Sequence, residues 1–252
     1  MIRLRRCLIV LGIAVGGLVA TASASAGSLP QFGAHNCHGG TIKAGVYASL
    51  RVSGNCTVPT GATVHVNGEV FVAPGATLNA VTQSTFNVGG DLIARKHSIV
   101  GLGCNDEVGC ASSTDDHIGG SLRAWRAAAV VIEQETVGGD VVIRRGGGSM
   151  DCSSTALLGG PYFATIHDSV IGGNVVVRKV HSCWFGLIRS TIGGNVKIGE
   201  NRMGDPDAME IVTNTIAGNL SCFDNVPHAQ VGDSGGQPNM VGGQKRGECA
   251  SL

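Results

Sequence analysis

Ile171-Gly172-Gly173-Asn174-Val175-Val176-Val177 returns shortly afterwards as Ile192-Gly193-Gly194-Asn195-Val196-Lys197-Ile198. The phrase also reads Val88-Gly89-Gly90-Asp91-Leu92, Ile118-Gly119-Gly120-Ser121-Leu122, Val137-Gly138-Gly139-Asp140-Val141 and, altered, Ile216-Ala217-Gly218-Asn219-Leu220. A degenerate copy, Val66-Asn67-Gly68-Glu69-Val70, precedes them all. Successive copies begin at Val66, Val88, Ile118, Val137, Ile171, Ile192 and Ile216, so the basic unit is near twenty and two gaps, from Val88 to Ile118 and from Val137 to Ile171, are longer. Seven copies of such a unit signal a repeat architecture, which outranks any local reading of secondary structure. The two long gaps hold cysteine-bearing insertions.

The unit is too short for two helices. Diglycine costs about 2 kcal/mol inside a helix, whereas the Val and Ile that follow it favour strands. A hairpin repeat would show two-residue Asn-Gly or Asp-Gly turns between its strand pairs, whereas these copies share one turn type and stack in one direction. The arrangement that uses short strands and one recurrent corner is a parallel β-helix, in which each unit is one coil and equivalent strands of successive coils pair. About seven coils are expected, with Leu92, Ile93, Val141, Ile143, Val175, Val177, Val196 and Ile198 among the residues turned inward.

Residues 1–26 read as an export signal: Arg3, Arg5 and Arg6, an apolar run from Leu8 to Val19, then Ala-Ser-Ala steps suited to cleavage. That run is too short for a membrane anchor, which needs about 20 residues. The remainder carries 15 basic residues (18 less three) against 18 acidic ones, a net charge near −3. No basic stripe emerges along the chain, which disfavours nucleic acid as a partner. Aromatic residues make up 4%, which argues against a long aromatic-lined sugar groove.

Nine cysteines become eight once Cys7 leaves with the signal, an even number that suits disulfides in an oxidising compartment. In a solenoid each segment touches only its neighbours, so pairs close in sequence are favoured: Cys37 with Cys56, Cys104 with Cys110, Cys152 with Cys183, and Cys222 with Cys249. These pairs suggest an N-terminal cap over 27–56, a body over 57–220 and a covering segment over 221–252, where the repeat stops. The insertions 101–116 and 146–168 both follow the strand after the diglycine and so are expected on one side of the rod. Loops on a rigid scaffold are where binding is usually placed.

Asp91, Ser121, Asp140, Asn174, Asn195 and Asn219 each follow the glycine pair, which predicts a ladder of side chains bonded to backbone from coil to coil. Calcium held by Asp91 and Asp140 is the functional alternative, because hard oxygen ligands suit that ion. Asp115 and Asp116 form the acidic pair that a polysaccharide-cleaving enzyme would use as acid and base. Asn105-Asp106-Glu107 lies in the same insertion. His35 and His38 flank Cys37 in metal-ligand fashion, and Trp125 and Trp184 could stack on sugar. No nucleophile elbow supports an esterase.

By its diglycine repeats and its Pro-Gly-Ala-Thr first coils at Pro74-Gly75-Ala76-Thr77, the chain resembles secreted bacterial proteins of the right-handed parallel β-helix type over about Cys56 to Leu220. It is also distantly similar to the bactofilins, whose β-helices polymerise end to end, although the export signal and eight cysteines depart from them. That resemblance implies architecture and no catalytic motif. The expectation is a noncatalytic secreted or envelope β-solenoid, structural or adhesin-like, that presents its insertions to a cell-surface polysaccharide or protein. The alternative is a carbohydrate-active enzyme using Asp115 and Asp116.

Overall fold

The computed structural model describes residues 28–252 except Asp115, and the side chains of Glu107 and Leu158 are not included. The export signal over 1–26 and Asp115 therefore lie outside the described residues. The chain is almost entirely β, with long parallel sheets; three one-turn 3-10 helices, Asp106–Val108, Leu157–Gly159 and Glu248–Ser251, are its helical content among the described residues.

Each repeat contributes a strand before the glycine pair, one after it and, in most tiers, a third. Val137 pairs with Ile171, Ile171 with Ile192 and Ile192 with Ile216, all parallel. Beyond the glycines, Val141 pairs with Val175, Val175 with Val196 and Val196 with Leu220. The third strands, from Gly40–Thr41 to Glu210–Val212, form a separate parallel sheet of eight. Strict alternation buries Val141 and Ile143 and leaves Val142 half-buried. Ile93, expected inside with Leu92, takes an outward place for the same reason. One apolar cluster runs through the tiers, with Leu50, Leu78, Phe86, Leu122, Ile166, Phe185 and Ile211 in it.

The stack is deeper than seven tiers, because both flanking segments continue it. Gly45–Val52 pairs with Thr63–Val66 and Val70–Val72, and Gln31–Cys37 pairs with Gly45–Val52 in turn. No diglycine marks this copy, since it runs straight through Ala48 and Ser49. At the other end the repeat continues past Leu220: Val241-Gly242-Gly243-Gln244 is a further copy, with Val241 opposite Ile216 and Lys245 opposite Leu220. The irregular residues 227–239 ahead of it hide the spacing.

The glycine pairs owe their identity to close approach rather than to unusual dihedrals. A Cβ on Gly138 would stand 2.5 Å from the carbonyl oxygen of Gly119, and one on Gly194 would stand 2.7 Å from that of Gly173. Left-handed backbone occurs at another corner, on ordinary residues: His97, Arg126, Arg145, Lys179, Glu200 and Asp224 have φ between 54° and 61°. That conformation costs about 1–2 kcal/mol per residue, offset in part because each tier bonds to the next there. The Arg126 N–H donates to the Arg144 carbonyl at 2.8 Å, and the Arg145 N–H to that of Arg178 at 2.9 Å.

The residues after the glycine pair form a ladder. The Asp91 carboxylate accepts the Ser121 N–H at 2.8 Å, the Ser121 hydroxyl accepts the Asp140 N–H at 3.1 Å, and Asp140 accepts the Asn174 N–H at 2.7 Å. Asn174 then accepts from Asn195, Asn195 from Asn219 and Asn219 from Gln244, at 2.8 to 2.9 Å. The structure joins Cys37 to Cys56, Cys104 to Cys110, Cys152 to Cys183 and Cys222 to Cys249. Four disulfides suit an oxidising, extracytoplasmic setting. No helix among the described residues is long and apolar enough to cross a membrane.

The second glycine of each pair is Gly throughout, whereas Ala217 occupies the first place in one copy. Gly194→Ala should therefore lower stability by about 1–3 kcal/mol through overpacking, and Gly193→Ala should lower it less. Guanidinium unfolding of the two variants measures the difference, and equal losses would contradict this account of the corner.

Candidate functional site

The outer face of the eight-strand sheet carries the most developed concavity. Parallel register places Gly101, Val131, Thr165, Gly186 and Glu210 in one outward column, with Glu133 beside His167 in the next. The first insertion leaves after Ile99–Leu102, at the end of a third strand; the second lies between Val141–Arg144 and Phe163–His167. They thus start from different corners, not from the shared one expected, and flank this sheet from its two ends. Cys104–Cys110 closes the first insertion, and Cys152–Cys183 fastens the second beside Trp184. Together they enclose a cavity of about 750 Å³, within the range usual for small-ligand sites.

Its walls combine apolar and polar groups. Val131, Leu157, Phe163 and Trp184 supply the former, and Glu133, Thr165, His167 and Asp205 the latter. Glycines make the room: a Cβ on Gly101 would collide with Leu157, and one on Gly186 with the Trp184 ring. Trp184 stands in edge-to-face arrangement with Phe163 and His167, with ring centroids 6.0 and 5.7 Å apart. The Thr165 hydroxyl donates to Glu133 Oε1 at 3.2 Å, and His167 Nδ1 lies 3.4 Å from the same oxygen. Glu133 is 2% exposed, and its Oε2 has no hydrogen-bond partner among the described residues. A buried acceptor left in that state costs free energy until a donor reaches it.

The residues singled out from sequence are distributed otherwise. Asp116, read as half of a solvent-facing acid pair, is 1% exposed, and its Oδ1 accepts the Phe86 N–H at 2.8 Å. It opens a buried polar column with Glu135, Ser169, Ser190, Asn214 and Asn239, each two residues before the leading Val or Ile of its phrase. Ser169 accepts the Glu135 N–H, Ser190 that of Ser169, and Asn214 that of Ser190. That regular polar position is legible in the sequence but was obscured by the stronger glycine signal. Asp91 and Asp140 do not converge, because Ser121 occupies the tier between them; Asp91 instead pairs with Arg123. His38 meets Ser53 and His35 packs on Tyr47, while Trp125 is 42% exposed. Asn105 caps the short helix Asp106–Val108.

Stacking also produces what the linear sequence lacks, a basic strip. Arg126, Arg145, Lys179, His181 and Arg202 line an open cleft of about 1030 Å³, with Arg144, Arg178 and Trp125 on the adjoining face. Arg145 lies over the Trp125 ring at 5.3 Å. Glu200, paired with Arg178 and Lys179, moderates the charge toward the C-terminal tiers.

Two groups of potential ligand atoms occur among the described residues. Cys152, Cys183 and Asp205 converge, but the cysteines are joined to each other and offer no thiolate. Asp207, Glu210 and Asp233 converge with oxygens within 4.8 Å of one another. Burial, then repulsion from Asp207 and Asp233, pushes the Glu210 carboxyl up to about 7. Desolvation, followed by contact with Asp233, raises Asp207 as well. No protein-family model, curated protein or solved structure matches the chain.

The raised Glu210 carboxyl implies a stability gradient. Between its ordinary value of 4.5 and about 7 the folded chain keeps a proton that the unfolded chain has lost, so the contribution is complete at acid pH and is lost as pH rises through 7. In chelator-containing buffer, Glu210→Gln should remove a drop on the order of 3 kcal/mol between pH 5 and pH 8. Thermal melts at the two pH values measure it.

Proposed function

We propose that the chain is a secreted or envelope-associated protein folded as a closed, right-handed parallel β-helix, and that it binds a saccharide unit of a surface polysaccharide without cleaving it. Three strand columns sharing one tier period support closure, and the handedness follows the rule for parallel crossovers, right-handed in about 98% of cases. The carrying observation is the cavity in which Glu133 Oε2, an unmet acceptor, lies in the same wall as Trp184 and Phe163. A sugar offers hydroxyl donors on its rim and an apolar C–H face, and the two kinds of wall meet both needs.

Binding without turnover fits the spacing of the acids. Glu133 and Glu210 are three tiers apart along the sheet, roughly 14 Å at the spacing of paired strands. Glycosidases place their carboxyl pair at about 5–9.5 Å. Asp116 is buried under its own tier, and Glu210 is not among the residues that line the cavity.

A panel of neutral and acidic polysaccharides, incubated with the protein and assayed both for retention and for released fragments, tests the proposal. Retention of at least one polymer, weakened about tenfold or more by Trp184→Ala and accompanied by no fragments, is the expected result. Retention untouched by Trp184→Ala, or steady release of oligosaccharides, would refute it.

A further inference from the structure

The three carboxylates beyond the cavity come from three separate pieces of chain. Asp207 belongs to the excursion that follows Arg202–Met203, Glu210 opens the strand Glu210–Val212, and Asp233 lies in the irregular return that bridges to that strand through Gln230. Gly232, with φ 72°, lays its backbone directly against the Glu210 carboxylate, and a Cβ there would overlap it. Nothing about the strand register requires three negative groups to meet here. No lysine or arginine forms an ion pair with any of them among the described residues.

Glu210 provides the decisive detail. It is 1% exposed, yet its Oε2 has no hydrogen-bond partner among the described residues, and its carboxylate faces the oxygens of Asp207 and Asp233. A buried carboxylate oxygen without a donor, beside two further carboxylates, must either hold a proton or meet a positive charge. We propose that Asp207, Glu210 and Asp233 bind a calcium ion, which clamps the return segment around Asp233 onto the last of the third strands. Ligand oxygens 2.3–2.6 Å from one ion lie at most about 5 Å from each other, and the three carboxylates meet that limit. An all-oxygen set on flexible loops suits calcium better than zinc, which prefers nitrogen and sulfur, or magnesium, which holds tightly to its water and to octahedral geometry. Asp233 is exposed and Asp207 half-buried, so the ion has a way in and room for water ligands. The site is independent of the saccharide proposal, because none of its ligands lines the cavity.

The test uses the full protein after exhaustive treatment with chelator, titrated with calcium chloride alone by calorimetry. One site is expected, with a dissociation constant at or below about 1 mM, the upper range for extracellular modules. Calcium should also raise the melting temperature and slow proteolysis within 231–236, and magnesium at the same concentration should do neither. Asp233→Asn, at an exposed position that leaves packing intact, should weaken calcium about tenfold or more. Glu210→Gln should abolish the response while the protein melts no lower than the wild type in chelator. Absence of heat and of any melting shift up to about 10 mM calcium, or binding unchanged in both variants, would overturn the site.

Discussion

The contact that the architecture depends on is the one between successive glycine corners. At the second glycine, the carbonyl oxygen of one corner occupies the space where the next corner would carry a side chain, as Gly173 does toward Gly194. Only a residue without Cβ lets two backbones approach so closely while strands on both sides keep parallel register. Around that contact the Asp91-to-Gln244 ladder closes the polar account: the glycine N–H groups donate to backbone carbonyls of the tier before, and the N–H of the residue after each pair, from Ser121 to Gln244, finds a side-chain oxygen there. The aliphatic residues that follow are held in alternation, and their inward members join one apolar cluster.

A second column works in the opposite sense. The Asn201 N–H donates to the Asn225 side-chain oxygen, and the Asn225 N–H to Glu248, so the acceptor lies in the later tier. Burial alone would raise Glu248, but bonds from the Asn225 side chain and from the Asn225 and Ala229 N–H groups outweigh it and hold the carboxyl below the usual range. Glu248 thus ends the column with a charge-assisted acceptor, and Cys222–Cys249 secures the adjoining residue. A loop of that length constrains the unfolded chain by about 3–4 kcal/mol in the chain-entropy account. The end of the stack is held by bonds rather than by a separate cap.

The insertions show how a uniform scaffold acquires a site. Third strands present a flat, regular face, and nothing in that face alone would select a ligand. Gly101 and Gly186 open two gaps in it, which Leu157 of the second insertion and Trp184 of the same strand as Gly186 fill, and the Cys152–Cys183 disulfide ties the second insertion to the sheet. The result places Glu133 and His167, remote from each other along the chain, in adjacent tiers. The basic strip arises the same way: Arg126, Arg145 and Lys179 are neighbours only because their tiers are stacked.

The amino-acid sequence by itself determined the strand repeat, the residues of the corner ladder and the parallel sense of pairing, because these depend on local backbone preference and on a period that any reader of the chain can count. Nearest-neighbour reasoning also selected the four cysteine pairs that the structure joins. Tyr47 through Leu50 carries no repeat signal because a strand that does not bend needs no diglycine, and the irregular residues ahead of Val241 through Gln244 break the period there. Asp116 looked exposed because its burial depends on Phe86, a full tier earlier in the chain. Only the tertiary structure decided which insertions share a face, where the acids and bases gather, and which carboxylates lose their water. Those outcomes follow from distances between tiers, and a linear chain does not carry them until stacking brings remote residues within a few ångströms.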